Sequence, residues 1–260
     1  MTDFLIVTAV AAGVCVVAMA ITAYAAKVTG RVSVVDVTWG FALAAVALAC
    51  ALIGDAPDWR RWLVFVLVAI WGTRLSVHIL RRSWGHGEDP RYTELLGSGR
   101  GGPLLRVWIP QGGAIWLVSL PVQVAAVAGD GLNAVVVIGG ALWLVGVVFE
   151  SVGDAQLAAY KRDPDRGPVM DHGLWRYTRH PNYFGDACVW WGIFLVCASA
   201  WPGVLTILSP VAMTYFLVFA TGARLLEQTM MQRPGYPEYA ARTSMFFPLP
   251  PKRMAGRRRG

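Results

Sequence analysis

Between Trp175 and Asp186 the chain reads WRYTRHPNYFGD, which sets Arg176, Arg179, His180 and Asn182 at the mouth of an apolar segment. Pro181 suits the first turn of a helix, and the residues before such a start sit where outward-pointing backbone N–H groups favour anions. Arg179 and His180 add charge and donors at that point. Beyond it, Asn182, Asp186 and Trp190 recur every four residues and carry a polar face into the apolar segment. This is the layout of a pocket with a phosphate end outside and an apolar end within lipid. A positive anchor with a capped helix accounts for Arg176 and Arg179 but leaves Asn182 and Asp186 together without a reason.

Three further groups could carry chemistry. Arg74, His78, Arg81 and Arg82 follow one another at spacings of four, three and one, so several share a helical face. Arg81 and Arg82 can snorkel to the surface, whereas Arg74 lies about two turns inside and reads equally as an internal salt bridge or an anion ligand. Asp36 opens a helix in DVTWG, where a cap, an ion pair with Arg74 and a proton donor are all open readings. Glu150 and Asp154 lie one turn apart in FESVGDAQLAAYKRD, which keeps helical spacing while turning polar. Glu227 follows Arg224 as a candidate pair, and Tyr236 and Tyr239 stand in RPGYPEYAARTSMFFPLP, a segment read as lying on the bilayer surface over an opening. The glycine run from Gly97 to Gly102 lacks the Lys and Ser/Thr of a phosphate loop and reads as a linker.

The elements that must position these residues are membrane helices. The 260 residues are 56% hydrophobic with 12 Trp and a mean hydropathy of +0.50, too apolar for one soluble core. Apolar runs long enough for roughly 30 Å of hydrocarbon occur near 4–26, 32–53, 62–80, 107–128, 132–149, 183–200 and 204–226. The expectation is an all-α polytopic membrane protein of about seven transmembrane helices. The first run has only Asp3 and no basic cluster ahead of it, and reads as a retained helix. Basic residues follow the first, third and fifth runs and fill the tail through Arg257, Arg258 and Arg259, where anionic headgroups would hold them. The other loops carry little, Arg60 and Arg61 being partly balanced by Asp55 and Asp58. The amino terminus is therefore expected outside and the carboxyl terminus cytoplasmic. The net charge of +7 is topological, and nucleic acid is not an expected partner. Cys15, Cys50, Cys188 and Cys197 all fall in apolar runs with no metal spacing, so no metal or disulfide is expected.

Taken together, DVTWG, WGTRLSVHILRR with GEDPRY, FESVGDAQLAAYK, GLWRYTRHPNYFGD and GYPEYAARTSMFFP resemble the bacterial membrane branch of the steroid 5α-reductase superfamily, over nearly the whole chain. The resemblance implies one integral membrane reductase domain over 1–260, in which 1–128 hold a lipid substrate and 129–260 hold NADPH entering from the cytoplasm. It implies a bacterial inner-membrane protein with a lipid-like small-molecule partner. Carried over by motif, Arg74 and Arg81 would contact phosphates, Asp154 and Lys161 would line the cofactor cleft, and Tyr177, Arg179, His180, Asn182, Tyr183 and Asp186 would form its wall. The reaction implied is hydride transfer to an activated carbon–carbon double bond, with a protein acid polarising a conjugated carbonyl.

The steroid branch uses a glutamate and a tyrosine for that polarisation, and this chain departs there. Asp36 is the nearest acid, and Trp71 stands where the tyrosine would be, so the catalytic candidates are Asp36 and Trp71. A steroid enone, an isoprenoid and an unsaturated fatty-acyl lipid are all open as substrates. The RHPNY-type segment followed by a terminal glutamate is also similar to isoprenylcysteine and phospholipid methyltransferases, which bind S-adenosylmethionine. A lipid-binding scaffold without turnover is the third reading.

Overall fold

The computed structural model describes residues 2–97, 101–129, 133–220 and 222–252. The expected tail contacts of Arg257, Arg258 and Arg259 and half of the 97–102 linker lie outside them. Eleven α-helices are described. They are α1 (Thr2–Thr29), α2 (Val34–Ile53), α3 (Asp58–Ser83), α4 (Pro90–Gly97), α5 (Ile109–Val118), α6 (Leu120–Ala125), α7 (Ala134–Arg162), α8 (Pro181–Ala198), α9 (Leu208–Tyr215), α10 (Ala223–Met230) and α11 (Tyr236–Arg242). The described residues contain no strand, only a single bridge between Thr178 and Ser244.

Five segments are long and apolar enough to cross a membrane: Asp3–Thr29, Val34–Ile53, Asp58–Ser83, Ala134–Arg162 and Gly203–Met230. The run at 107–128, expected as one span, is instead divided at Ser119 into α5 and α6. The reason is local. Pro121 has no N–H to give the helix, and the buried Gln123 builds a polar knot: its amide donates to Ser119 Oγ (2.7 Å) and the Trp116 carbonyl (3.1 Å) while its carbonyl accepts from Thr8 of α1 at 2.7 Å. The run at 183–200 forms α8, an 18-residue helix outside the set of five, because it opens on the polar turn Pro181–Asn182 and carries Asp186.

The chain divides into two compact units, Met1–Gly139 with Ile193–Ser209 and Gly140–Gly192 with Pro210–Gly260. The first is built on α2 against α3. A Cβ on Gly40 would stand 2.1 Å from the Gly72 carbonyl oxygen, and one on Gly72 would stand 2.4 Å from that of Gly40. The backbones therefore touch, as small residues allow in membrane helix pairs. Ser76 locks the contact, donating to the Val37 carbonyl at 2.6 Å and accepting from Phe41 N–H at 3.0 Å.

Arg60, expected as a loop charge balanced by nearby acids, is fully buried. It donates to Ser199 Oγ and to the carbonyls of Val196 (3.0 Å) and Cys197 (2.7 Å), closing the C-terminus of α8. A cation at that end also meets the negative pole of the helix dipole. Arg61 does pair with Asp58.

The second unit repeats the glycine device between α7 and α8. A Cβ on Gly146 would stand 2.5 Å from the Gly185 carbonyl oxygen, and one on Gly185 would stand 2.6 Å from Glu150 N. Gly72→Ala should cost about 1–3 kcal/mol through forced separation of α2 and α3, whereas Gly13→Ala, with nothing within 4 Å of the new methyl, should be neutral or mildly stabilising. Thermal unfolding of the two variants in detergent checks this, and equal midpoints would refute the close crossing.

Candidate functional sites at the helix ends

One carboxylate oxygen organises the second unit. Glu227 Oε1, on α10, accepts from Arg179 Nε at 2.9 Å and from the Tyr236 hydroxyl at 2.8 Å, and His180 Nε2 lies 2.9 Å away. With its proton on Nε2, His180 is the third donor to that atom. The group is nearly sealed, with Arg179 and Glu227 side chains each 11% exposed and His180 7%. Burial, reinforced by the hydrogen bond to Glu227 and its charge, raises the Tyr236 phenol well above its ordinary range. Glu227 thus pairs across the unit, while Arg224, the partner expected from its spacing, packs over the Phe219 ring at 4.6 Å.

The same arginine ties down the chain beyond α11. Arg179 Nη1 donates to the Ala240 and Thr243 carbonyls at 2.7 and 2.9 Å, and its backbone N–H donates to Ser244 at 2.9 Å. Thr178 Oγ1 donates to the Phe246 carbonyl at 2.8 Å, and Leu249 N–H donates to the Tyr177 carbonyl at 3.0 Å. Tyr239 donates to the Trp175 carbonyl, and Arg242 pairs with Asp171. Phe246 and Phe247 pack on Phe184 with ring centroids 6.0 and 6.2 Å apart. GYPEYAARTSMFFP is therefore a strap docked on WRYTRHPNYF. The tyrosines expected on the bilayer surface are buried in it.

The remaining second-unit candidates gather where α7 meets α8. A Cβ on Gly153 would stand 3.1 Å from Pro181 and 3.4 Å from Asn182 N, so Asp154 and Asn182 leave adjoining turns. Asp154 and Asp186 are buried, as is Glu150 at 2% exposure, while Asn182 and Tyr183 are half-buried and Tyr183 stacks on His180 with centroids 5.5 Å apart. Lys161 and Tyr177 are exposed. This crossing holds Asn182, Tyr183 and Asp186, half of the wall read from sequence, beside Asp154. Arg179 and His180 belong to it differently, because their donors are directed to Glu227 and to strap carbonyls. Arg74 and Arg81 lie on α3 in the first unit, Arg74 half-buried and Arg81 exposed.

In the first unit GEDPRY docks on DVTWG. Glu88 accepts from the backbone N–H groups of Val32 and Ser33 just before α2, satisfying donors that a helix start leaves open. Burial works against its charge, yet these bonds, with those from the Ser33 side chain and Asp89 N–H, hold Glu88 below the usual glutamate range. Asp36 accepts from Arg91 Nη2 at 2.9 Å and from the Tyr92 hydroxyl at 2.5 Å. Its ion pair is thus with α4, and the side chain does not cap its helix. Burial, then the charge of Asp36 and the bond to it, push the Tyr92 phenol far above its ordinary range. Trp71 is wholly buried on α3. Arg91, Tyr92 and Glu88 were missed by spacing arguments, although all three stand in a motif that carries the resemblance.

An open cleft of about 620 Å³ lies beside the strap, lined by Asp171, His172, Gly173, Arg176, Arg242, Thr243, Pro251 and Lys252. Among the described residues, no acidic group other than Asp171 lines it. No cluster of metal-ligating side chains occurs among the described residues.

These observations define an all-helical protein with helices of membrane-spanning length and polar chemistry gathered at helix ends. The chain belongs to the family described as protein of unknown function (DUF1295), whose profile matches residues 7–243. No curated protein and no solved structure matches.

Glu227→Ala would leave Arg179 and His180 buried without their acceptor and should cost about 3–5 kcal/mol. Limited proteolysis should then cut between 231 and 252, while Glu238→Ala on the exposed side of α11 leaves both stability and cleavage unchanged. Glu88 gives a pH dependence whose sign follows from its lowered pKa. Its contribution is complete above the unfolded-state value and is lost as pH falls through the depressed folded-state value. The acid limb of a stability profile should therefore flatten in Glu88→Gln, and an unaltered limb would count against the clamp.

Proposed function

We propose that this protein is an integral membrane reductase that uses NADPH from the cytoplasmic side to reduce a carbon–carbon double bond in a lipid substrate. The observation that carries the reading is the hydroxyl of Tyr92 held 2.5 Å from Asp36 at the head of an apolar helix. The resemblance calls for an acid and a tyrosine, and position 71 holds Trp. Tyr92, supplied by α4, fills that chemical role.

A buried phenol with a raised pKa keeps its proton at neutral pH and gives it up only to a strong base, such as the enolate oxygen that forms when a conjugated carbonyl is reduced. At rest the Tyr92 proton is donated to Asp36, and the hydroxyl would turn from that carboxylate to the enolate oxygen as charge develops there. The Arg91 guanidinium, 5.8 Å from the Tyr92 ring centre, offsets the charge that proton loss would leave. Trp71 packs in the same helix bundle and can add one N–H donor.

NADPH would supply the hydride. The donor set of the second unit fits it in chemistry: Asp154 suits ribose hydroxyls, Asn182 and Tyr183 suit amide and ring contacts, Lys161 and the cationic cleft suit phosphates, and Asp186 supports the wall. Arg179 and His180 serve by fixing Thr178 to Tyr183 in place. Arg74 and Arg81 enter as phosphate ligands through the resemblance alone. The topology that goes with this reading has seven spans, with α5–α6 and α8 completing the five long segments, the amino terminus outside and the carboxyl terminus cytoplasmic, in a bacterial inner membrane. It brings the basic residues that follow α3 and α7 and those around α11 to the cytoplasmic face.

A thermal-shift titration of detergent-purified protein with NADPH, NADH and S-adenosylmethionine tests the cofactor, since a ligand at about 100 times its Kd stabilises by about 2.7 kcal/mol. A shift with S-adenosylmethionine alone would replace the reductase by a methyltransferase. Tyr92→Phe should retain the NADPH shift and lose about 10²- to 10⁴-fold in turnover of any conjugated lipid that oxidises NADPH. Full turnover by that variant would refute the proton-donor assignment.

A further inference from the structure

The cleft beside the strap has fixed walls. Gly173 adopts φ +59°, a conformation that favours glycine, and the Leu174 N–H donates to Gln156 Oε1 at 2.9 Å, anchoring one side to α7. On the other side, Lys252 N–H donates to the Arg242 carbonyl at 2.9 Å, and the Arg242 guanidinium pairs with Asp171 across the opening. His172 is held edge-on to Tyr160 with ring centroids 6.5 Å apart.

The charge within these walls is not balanced. Arg176, Arg242 and Lys252 face Asp171, so three cations meet one carboxylate. Asp171 is taken by Arg242, and among the described residues neither Arg176 nor the Lys252 ammonium has an ion-pair partner. Two cations lining one cleft suit a dianion, and an arginine's planar fork matches phosphate oxygens. A volume of about 620 Å³ is that of a drug-sized or nucleotide-sized ligand rather than a lone ion.

We propose that this cleft receives the phosphorylated ribose of NADPH, with Arg176 and Lys252 as the phosphate ligands that separate it from NADH. The inference rests on the reductase reading, to which it adds the seat of cofactor specificity. Arg242 has a positioning role, holding the wall through Asp171. Because the cleft is open, binding should weaken as salt rises.

The test is calorimetric binding of adenosine 2′,5′-bisphosphate, AMP, NADPH and NADH to the full-length protein and to Arg176→Ala/Lys252→Ala. Wild type should bind the bisphosphate about tenfold or more tightly over AMP, the worth of one charge-assisted contact. The double variant should bring that ratio near one while keeping its affinity for NADH and its unfolding midpoint. NADPH binding with the ratio intact in the double variant would overturn this inference and leave the reductase reading standing. Absence of binding to both dinucleotides would overturn both. Vesicles of phosphatidylcholine with and without phosphatidic acid form the last arm. Dependence on the two cations seen only with phosphatidic acid would make the phosphate a lipid headgroup and overturn the nucleotide assignment.

Discussion

The second unit depends on one nearly buried oxygen. Glu227 Oε1 collects Arg179, His180 and Tyr236, three groups from two distant stretches of chain. A carboxylate in such a place is costly unless its charge and lone pairs are met, and so is a guanidinium. Their mutual satisfaction couples α10 to the start of α8 and to α11. Arg179 then extends the coupling to Ala240, Thr243 and Ser244. Removing Glu227 takes away the acceptor that Arg179, His180 and Tyr236 share, and removing one of those three leaves the buried carboxylate one bond short. For that reason the short segment before α8 and the tail after α10 behave as one structure.

The first unit meets the same problem with different residues. Asp36 and Glu88 sit at the head of α2, and α4 answers Asp36 with Arg91 and Tyr92. In both units a polar motif at a helix start is closed by a second polar motif far along the chain, and in both the helices beneath cross through paired glycines. Close crossings deny water a path along the helix faces. The polar ends can then present a few groups in a low-dielectric setting, where a phenol or a carboxylate keeps a defined protonation state. The acid–phenol pair on which the reductase reading rests is a product of that arrangement.

The long apolar runs were legible in the sequence because crossing length and composition are local properties, and α1, α2, α3 and α7 follow them closely. The break at Ser119 was signalled by Pro121 and Gln123, but an apolar average conceals one proline and one amide. The polar readings divide along a physical line. Asn182 with Asp186 on α8, and Glu150 with Asp154 on α7, lie one turn apart as helical spacing suggested, whereas the crossing that sets Asp154 beside Asn182 has no local signal. Asp36, Glu227 and Arg60 went to partners dozens of residues away. No local pattern encodes that distance, and an arginine that closes a helix end looks the same in sequence as one that snorkels. Tyr92 was hidden for the same reason, its partner being 56 positions back.

A Glu227-centred second unit requires the strap to be a fixed part of it. Hydrogen–deuterium exchange of the full-length protein reads it directly, through the amides of Arg179, Leu249 and Lys252, which donate to Ser244, Tyr177 and Arg242 outside any helix. Slow exchange at these positions, comparable to the interior turns of α8, is the predicted result. Exchange at the rate of an unstructured tail would contradict it, and the closed, Glu227-centred site would have to be abandoned.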